Sequence, residues 1–254
     1  MIKQNDLTKH LNQLFKPENF DDYCPNGLQV EGKTEIKNIT FAVSATKESI
    51  EASIRQQSDA LIVHHGLFWK FHGPKTITGP FATRIKPLIQ HDINLYAYHL
   101  PLDGHPEVGN AVSLANNLSL INLKPFGEYK KSFTGTMGEL SKEIPASEFK
   151  LKLESVLNHS VLHSSPNSQT IKSIGIITGG ANSEWRECLK YNLDAYITGE
   201  MSEHDWHEAR EAGVHFFAGG HHATEKFGIQ NLMNHLKNKF PGIKTQFLDS
   251  DNPA

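Results

Sequence analysis

Leu7, Leu11, Leu14 and Phe15 recur at three- and four-residue spacing in "DLTKHLNQLFK", which predicts an amphipathic helix over residues 6–16 behind an Asp cap, closed by Pro17. In "YCPNGLQVEG" the Pro-Asn-Gly run is a strong turn signal ahead of a short extended segment, Leu28 to Val30. "NITFAVSA" then reads as a strand, "TKESIEASIRQQS" as a helix opened by Thr46, and "DALIV" as a buried strand, together a βαβ unit. Past Gly73, Pro74, Gly79 and Pro80, "FATRIKPLIQHD" is helical and "INLYAYH" is a further strand that runs into "HLPLDGH".

The same pattern returns later. "ITFAVSATKESIEASIRQQSDALIVHH" from Ile39 and "IGIITGGANSEWRECLKYNLDAYITGE" from Ile174 both read strand, small-residue turn, amphipathic helix, Asp-Ala, strand. Asp59 and Asp194 fall at one offset, and His65 stands opposite Glu200. "INLYAYHLPLD" and "VHFFAGGHHATE" correspond as strands entering polar, ligand-type residues. The expectation is an α/β protein of two related halves, residues 1–124 and 125–254, although βαβ units share this pattern without being duplicates. "FTGTMGEL", "ASEFKLKLESVLN" and "HSVLHSS" add an ordered strand, helix and strand between the repeats.

Composition narrows the function classes. At 254 residues the chain can bury a substantial core without covalent staples. Cys24 and Cys188 are its two cysteines, too few and too far apart for a disulfide framework or a thiolate zinc site, so a reducing cytoplasm is the expected compartment. No stretch approaches the ~20 apolar residues of a membrane span, and "MIKQNDLTKHLNQLF" lacks the apolar core of a signal peptide. With 25 Lys plus Arg against 28 Asp plus Glu and no long basic run, nothing announces a nucleic-acid groove. Histidine is the outlier, at 15 positions.

Ligand sites of open α/β sheets lie beyond the carboxyl ends of the strands. The residues there are His64 and His65, His99 and Asp103, Gly199 and Glu200, and His221, His222 and Glu225. Each cluster has an ordinary structural explanation: a buried histidine beside an exposed one, an Asp-Gly turn, an acidic first helical turn. Their shared position after predicted strands favours chemistry. Neighbouring side chains on a strand face opposite ways, so His64 and His65 are expected to diverge toward two metals. His221 and Glu225, four apart, share a face if that stretch is helical; spacing leaves His222 open as the alternative. Three neutral histidines with Asp103 and Glu225 would leave two divalent ions with a net charge of about +2, attractive to hydroxide or phosphate. Such ligands suit zinc, iron, manganese or nickel. "TGGANSEW" matches no phosphate-loop pattern and reads as a structural turn.

"DYCPNGLQVEG", "DALIVHHGLFWK", "DINLYAYHLPLDGHPEVGN", "DAYITGEMSEHDWHEARE" and "HFFAGGHHATEKFGI" resemble the Nif-three-like family, the GTP cyclohydrolase I type 2 homologues, particularly the bacterial YbgI-type members, from residue 22 to 229. The resemblance implies a two-part α/β fold with a dinuclear metal site in the cleft, and a ring-shaped homohexamer. It assigns His64, His65, Asp103, His221 and Glu225 as metal ligands, with Glu225 bridging. His99, Glu200 and His207 match motif positions nearby, with Glu200 and His99 in proton-transfer roles. The implied activity is a metal-dependent hydrolase of a nucleotide-like small molecule, of the purine ring-opening kind. The alternatives are a phosphoester hydrolase and a non-catalytic metal-binding scaffold or regulatory ring.

Overall fold

A computed structural model of the chain describes residues 1–166 and 170–254. In chain order its elements are β1 (Ile2–Lys3), α1 (Gln4–Phe15), β2 (Gly27–Val30), β3 (Glu35–Ile36), β4 (Asn38–Ser44), α2 (Lys47–Arg55), β5 (Ala60–His65), α3 (Gly79–Gln90), β6 (Asn94–Ala97) and the short α4 (Leu100–Asp103). There follow α5 (Asn110–Asn117), β7 (Ile121–Tyr129), β8 (Ser132–Pro145), α6 (Ala146–Leu157), β9 (Leu162–Ser164), β10 (Thr170–Ile176), α7 (Glu187–Tyr191), β11 (Ala195–Thr198), α8 (Glu203–Glu211), β12 (His215–Ala218), α9 (His221–Lys239) and β13 (Lys244–Leu248).

Two compact units result, Met1–Leu102 with Ile229–Asp249, and Asp103–Gly228 with Ser250–Ala254. The expected division after residue 124 is therefore corrected to Leu102/Asp103, and the first unit is discontinuous. The cause is strand pairing: β13 lies parallel to β4, Lys244 opposite Asn38 through Leu248 opposite Ala42, so the C-terminal segment completes the first sheet.

That sheet has the order β13-β4-β5-β6-β2, parallel except for β2, which runs antiparallel to β6. Helix-covered parallel strands are apolar on both faces, and β4 and β5 follow this, with Ile39, Phe41, Val43, Leu61, Ile62 and Val63 all buried. Thr46 opens α2 as its pattern predicts, through a capping box in which Thr46 Oγ1 accepts from the Ser49 amide and Ser49 Oγ accepts from the Thr46 amide. Helix α1 starts two residues earlier than expected, with Asp6 in its first turn, and buries Leu7, Leu11 and Phe15. It stops because Lys16 turns left-handed at φ 45°, its amide returning to the Asn12 carbonyl, one residue before Pro17.

The second unit carries the sheet β7-β8-β10-β11-β12-β9, whose central β10, β11 and β12 are parallel and whose other pairings are antiparallel. Alternation splits its residues between two cores. Ala195, Ile197 and Phe217 pack with Leu114, Phe149 and Leu153 from α5 and α6, whereas Tyr196, Phe216 and Ala218 pack with Trp185, Cys188 and Ala209 on the opposite face. Burying each such large side chain stabilises by roughly 1.5–3 kcal/mol.

Asp59 and Asp194 do one job in the two units. Asp59 Oδ2 accepts from the amides of Lys37 and Asn38 at 2.9 Å each. Asp194 Oδ2 accepts from those of Lys172 and Ser173 at 2.9 and 2.8 Å. Each carboxylate ties the entry of one parallel strand to that of its neighbour, which gives the matching offset in the two sequence stretches a physical cause.

Candidate metal centre

In the first unit the carboxyl ends of β4, β5 and β6 gather three imidazoles. Register places Ser44 opposite His65, and their side chains meet, Oγ to Nδ1, at 3.0 Å. His64, fully buried, has Nδ1 3.0 Å from the Tyr98 carbonyl. A carbonyl can only accept, so Nδ1 donates and the neutral ring carries its lone pair on Nε2. His99, just past β6, has Nδ1 3.0 Å from Asp22 Oδ1 and is equally fixed. Each ring is thus held through Nδ1 by an oxygen, the arrangement that orients metal-ligating histidines. One ring nitrogen from each of His64, His65 and His99 lies within 4.8 Å of the other two, a spacing that suits a cation. The rings of His64 and His65, expected to diverge, have centroids 4.4 Å apart and are tilted by 42° to one another.

Asp22 anchors this arrangement. Besides His99 it accepts from the amides of Cys24 and Leu100 and from Asn26 Nδ2, at 2.9–3.0 Å. Burial alone would raise its pKa, but the bonds from His99, Asn26 and Cys24 outweigh this and hold the carboxyl at about 2. The neighbouring Cys24 thiol is pushed up to about 12 by burial and by Asp22, so it stays protonated and offers no thiolate.

In the second unit the carboxyl ends of β10, β11 and β12 gather a second set. His221 opens α9, and Glu225 lies one turn later on the same face, His221 Nε2 to Glu225 Oε2 being 3.3 Å. Glu200, after β11, meets His221 Nδ1 at 2.6 Å. Burial disfavours a charged His221 ring, yet Glu225 and Glu200 overcome it and raise the pKa to about 10. A field that strong favours positive charge at this position. Asp103, also buried, accepts at Oδ1 from Asn110 Nδ2 at 2.9 Å and Thr178 Oγ1 at 3.2 Å. Asn110 is in turn fixed by the Gly228 amide at 3.0 Å.

Glycine makes this second set possible. Gly179 has φ +71°, and a Cβ there would stand 2.1 Å from Glu225 Oε1. Its amide donates to Thr224 Oγ1 at 3.1 Å. "TGGANSEW" is therefore a packed turn beneath the carboxylate, as the sequence reading favoured.

The structure separates His221 from His222: the former pairs with Glu225, while the amide of the latter donates to the Ala254 carbonyl. His207 lies on the exposed face of α8, paired with Glu203 at 3.3 Å, outside both sets. The sequence reading missed Asp22, Ser44, Asn110 and Thr178. Asp22 had a faint signal, an acid two residues before Cys24 in a turn-rich stretch, where an aspartate commonly caps its own loop; the other three are ordinary polar residues whose roles depend on strand register.

The family model for Duf34/NIF3 (NGG1p interacting factor 3) matches residues 2–253. A protein of Haemophilus influenzae named GTP cyclohydrolase 1 type 2 homolog is 45% identical over 250 residues, 98% of each chain. Its namesake in Escherichia coli K12 is 39% identical over the full length of both. Among solved structures, the ybgI protein, described as of unknown function, is 38% identical, with a TM-score of 0.90 over the whole of both chains.

Proposed function

The chain belongs to the Duf34/NIF3 family, and from that premise we propose that it is a metal-dependent hydrolase that holds two divalent ions through His64, His65, Asp103, His221 and Glu225 and acts on a nucleotide-like small molecule. The observation that carries the metal reading is the pair of imidazoles at the sheet's carboxyl edge, His64 and His65, each held through Nδ1 by an oxygen. The donor set of nitrogen and carboxylate oxygen fits zinc, iron, manganese or nickel. When bound, such ions supply a water of near-neutral pKa and polarise an electrophile.

The chain's own residues have distinct tasks. Ser44 and the Tyr98 carbonyl orient the His65 and His64 rings, and Asn110 with Thr178 orients Asp103. His99, backed by Asp22, and the half-exposed Glu200 are the groups to move protons. The relatives' names support purine ring opening, and a net charge of about +2 on two ions and this ligand set equally suits a phosphoester. The resemblance extends the proposal to a ring of six chains, each of 28.4 kDa.

Metal analysis of the purified protein, followed by a screen of nucleotides and phosphoesters against wild type and Glu225→Gln, tests this. Bound divalent metal with turnover that the variant loses supports the hydrolase. Bound metal without turnover above the variant leaves a metal-binding scaffold, and protein that takes up no divalent metal overturns the reading. Light scattering measures the assembly.

A further inference from the structure

Beside the imidazoles of the first unit stand three aromatic rings that the metal reading leaves without a task. Tyr23 and Phe71 are 38% and 66% exposed, and Trp69 beside them is half-buried. Trp69 and Phe71 stack with centroids 5.5 Å apart at 27°. Tyr23 lies 6.0 Å from each. The inner end of the group reaches the proposed chemistry: Trp69 and Tyr23 each set their rings 5.1 Å from His99, both edge-on, and Trp69 is 6.0 Å from His65.

The placement is built. The Lys70 amide donates to the Tyr23 carbonyl at 2.8 Å, joining the two chain segments that carry the rings. Trp69 Nε1 donates to the Gly66 carbonyl at 3.2 Å, which fixes the indole relative to the strand end that bears His65. Folding drives large apolar rings inward, so Tyr23 and Phe71, held in order against a half-buried Trp69 yet left in solvent beside imidazoles, are a surface suited to an incoming flat apolar group.

The geometry points to an aromatic platform, Tyr23, Trp69 and Phe71, that stacks the planar heteroaromatic base of a nucleotide-like substrate and so sets the substrate class of the neighbouring imidazole site. This rests on the hydrolase reading for the chemistry and adds the group that is recognised. An aromatic face accepts any planar base and has no such purchase on a sugar phosphate, so the platform selects for the base itself.

Calorimetric titration of the full-length protein with GMP and with ribose 5-phosphate tests it, since the two share sugar and phosphate and differ in the base. The expected result is GMP binding at least about tenfold tighter than ribose 5-phosphate, with Phe71→Ala and Trp69→Leu each losing about tenfold for GMP and little for ribose 5-phosphate. Phe71 is exposed, so its removal leaves the fold intact. Equal binding of the two probes, no binding of GMP, or a preference that survives both substitutions overturns the platform. So does a Phe71→Ala protein whose mass in light scattering falls while its base preference stays, because the patch is then a contact between copies. Metal content measured alongside keeps the two readings apart: a base preference in metal-free wild type sustains the platform and sinks the hydrolase, whereas bound metal without base preference does the reverse.

Discussion

Asp22 accepts a hydrogen bond from His99 at 3.0 Å across 77 residues of sequence, and the same carboxylate collects the amides of Cys24 and Leu100. One buried side chain thus fixes both the loop before β2 and the turn after β6. Asp22→Ala leaves these donors without an acceptor, and the expected loss is about 3 kcal/mol, measured by urea denaturation. Asp22→Asn keeps an acceptor oxygen and is expected to cost less than half as much. Equal losses for the two would contradict the role assigned to these bonds.

Asp59 makes stability pH-dependent. Burial raises its pKa, but Lys33 Nζ at 2.7 Å and the amides of Asn38 and Lys37 outweigh that and hold the carboxyl below its ordinary range. A depressed carboxyl contributes stability that is complete above the unfolded value of ~3.9 and disappears as pH falls through the folded one. Asp59→Asn is therefore expected to lower stability at pH 7 and to flatten its decline below about pH 4. Urea midpoints across a pH series check this, and parallel curves for variant and wild type would refute it.

Chelation tests for the proposed metal. A ligand bound to the folded state alone stabilises by mass action, so EDTA is expected to lower the melting temperature of wild type by several degrees, restored by excess zinc or manganese. His64→Ala and Glu225→Gln are expected to melt at one temperature with and without EDTA. A wild-type melting curve indifferent to both chelator and metal would count against the proposed centre.

Gly179→Ala is expected to be among the costliest small substitutions in the chain. It forces an L residue to φ +71° and drives a methyl into Glu225, whose carboxylate is itself buried and cannot retreat to solvent. A loss of about 2–4 kcal/mol and of most bound metal is expected, by thermal melting and metal analysis. Gly213→Ala, at φ +83° with open space around the position, separates the two causes: it is expected to cost about 1 kcal/mol and no metal.

Much of the fold was legible along the chain. The capped α2, the buried β4 and β5 and the paired Asp59 and Asp194 follow from local periodicity and turn chemistry, which act over a few residues and leave their mark in sequence order. The strand-end placement of His64, His65, His221 and Glu225 was legible for the same reason. The assignment of residues 229–249 to the first unit and the recruitment of Asp22, Ser44, Asn110 and Thr178 were decided by tertiary structure. Each depends on strand register or on a hydrogen bond between residues far apart in the chain, and no local pattern encodes which distant donor will meet a given acceptor. The sequence by itself determined which side chains are presented at the strand ends; the fold decided which oxygens hold them and in what orientation.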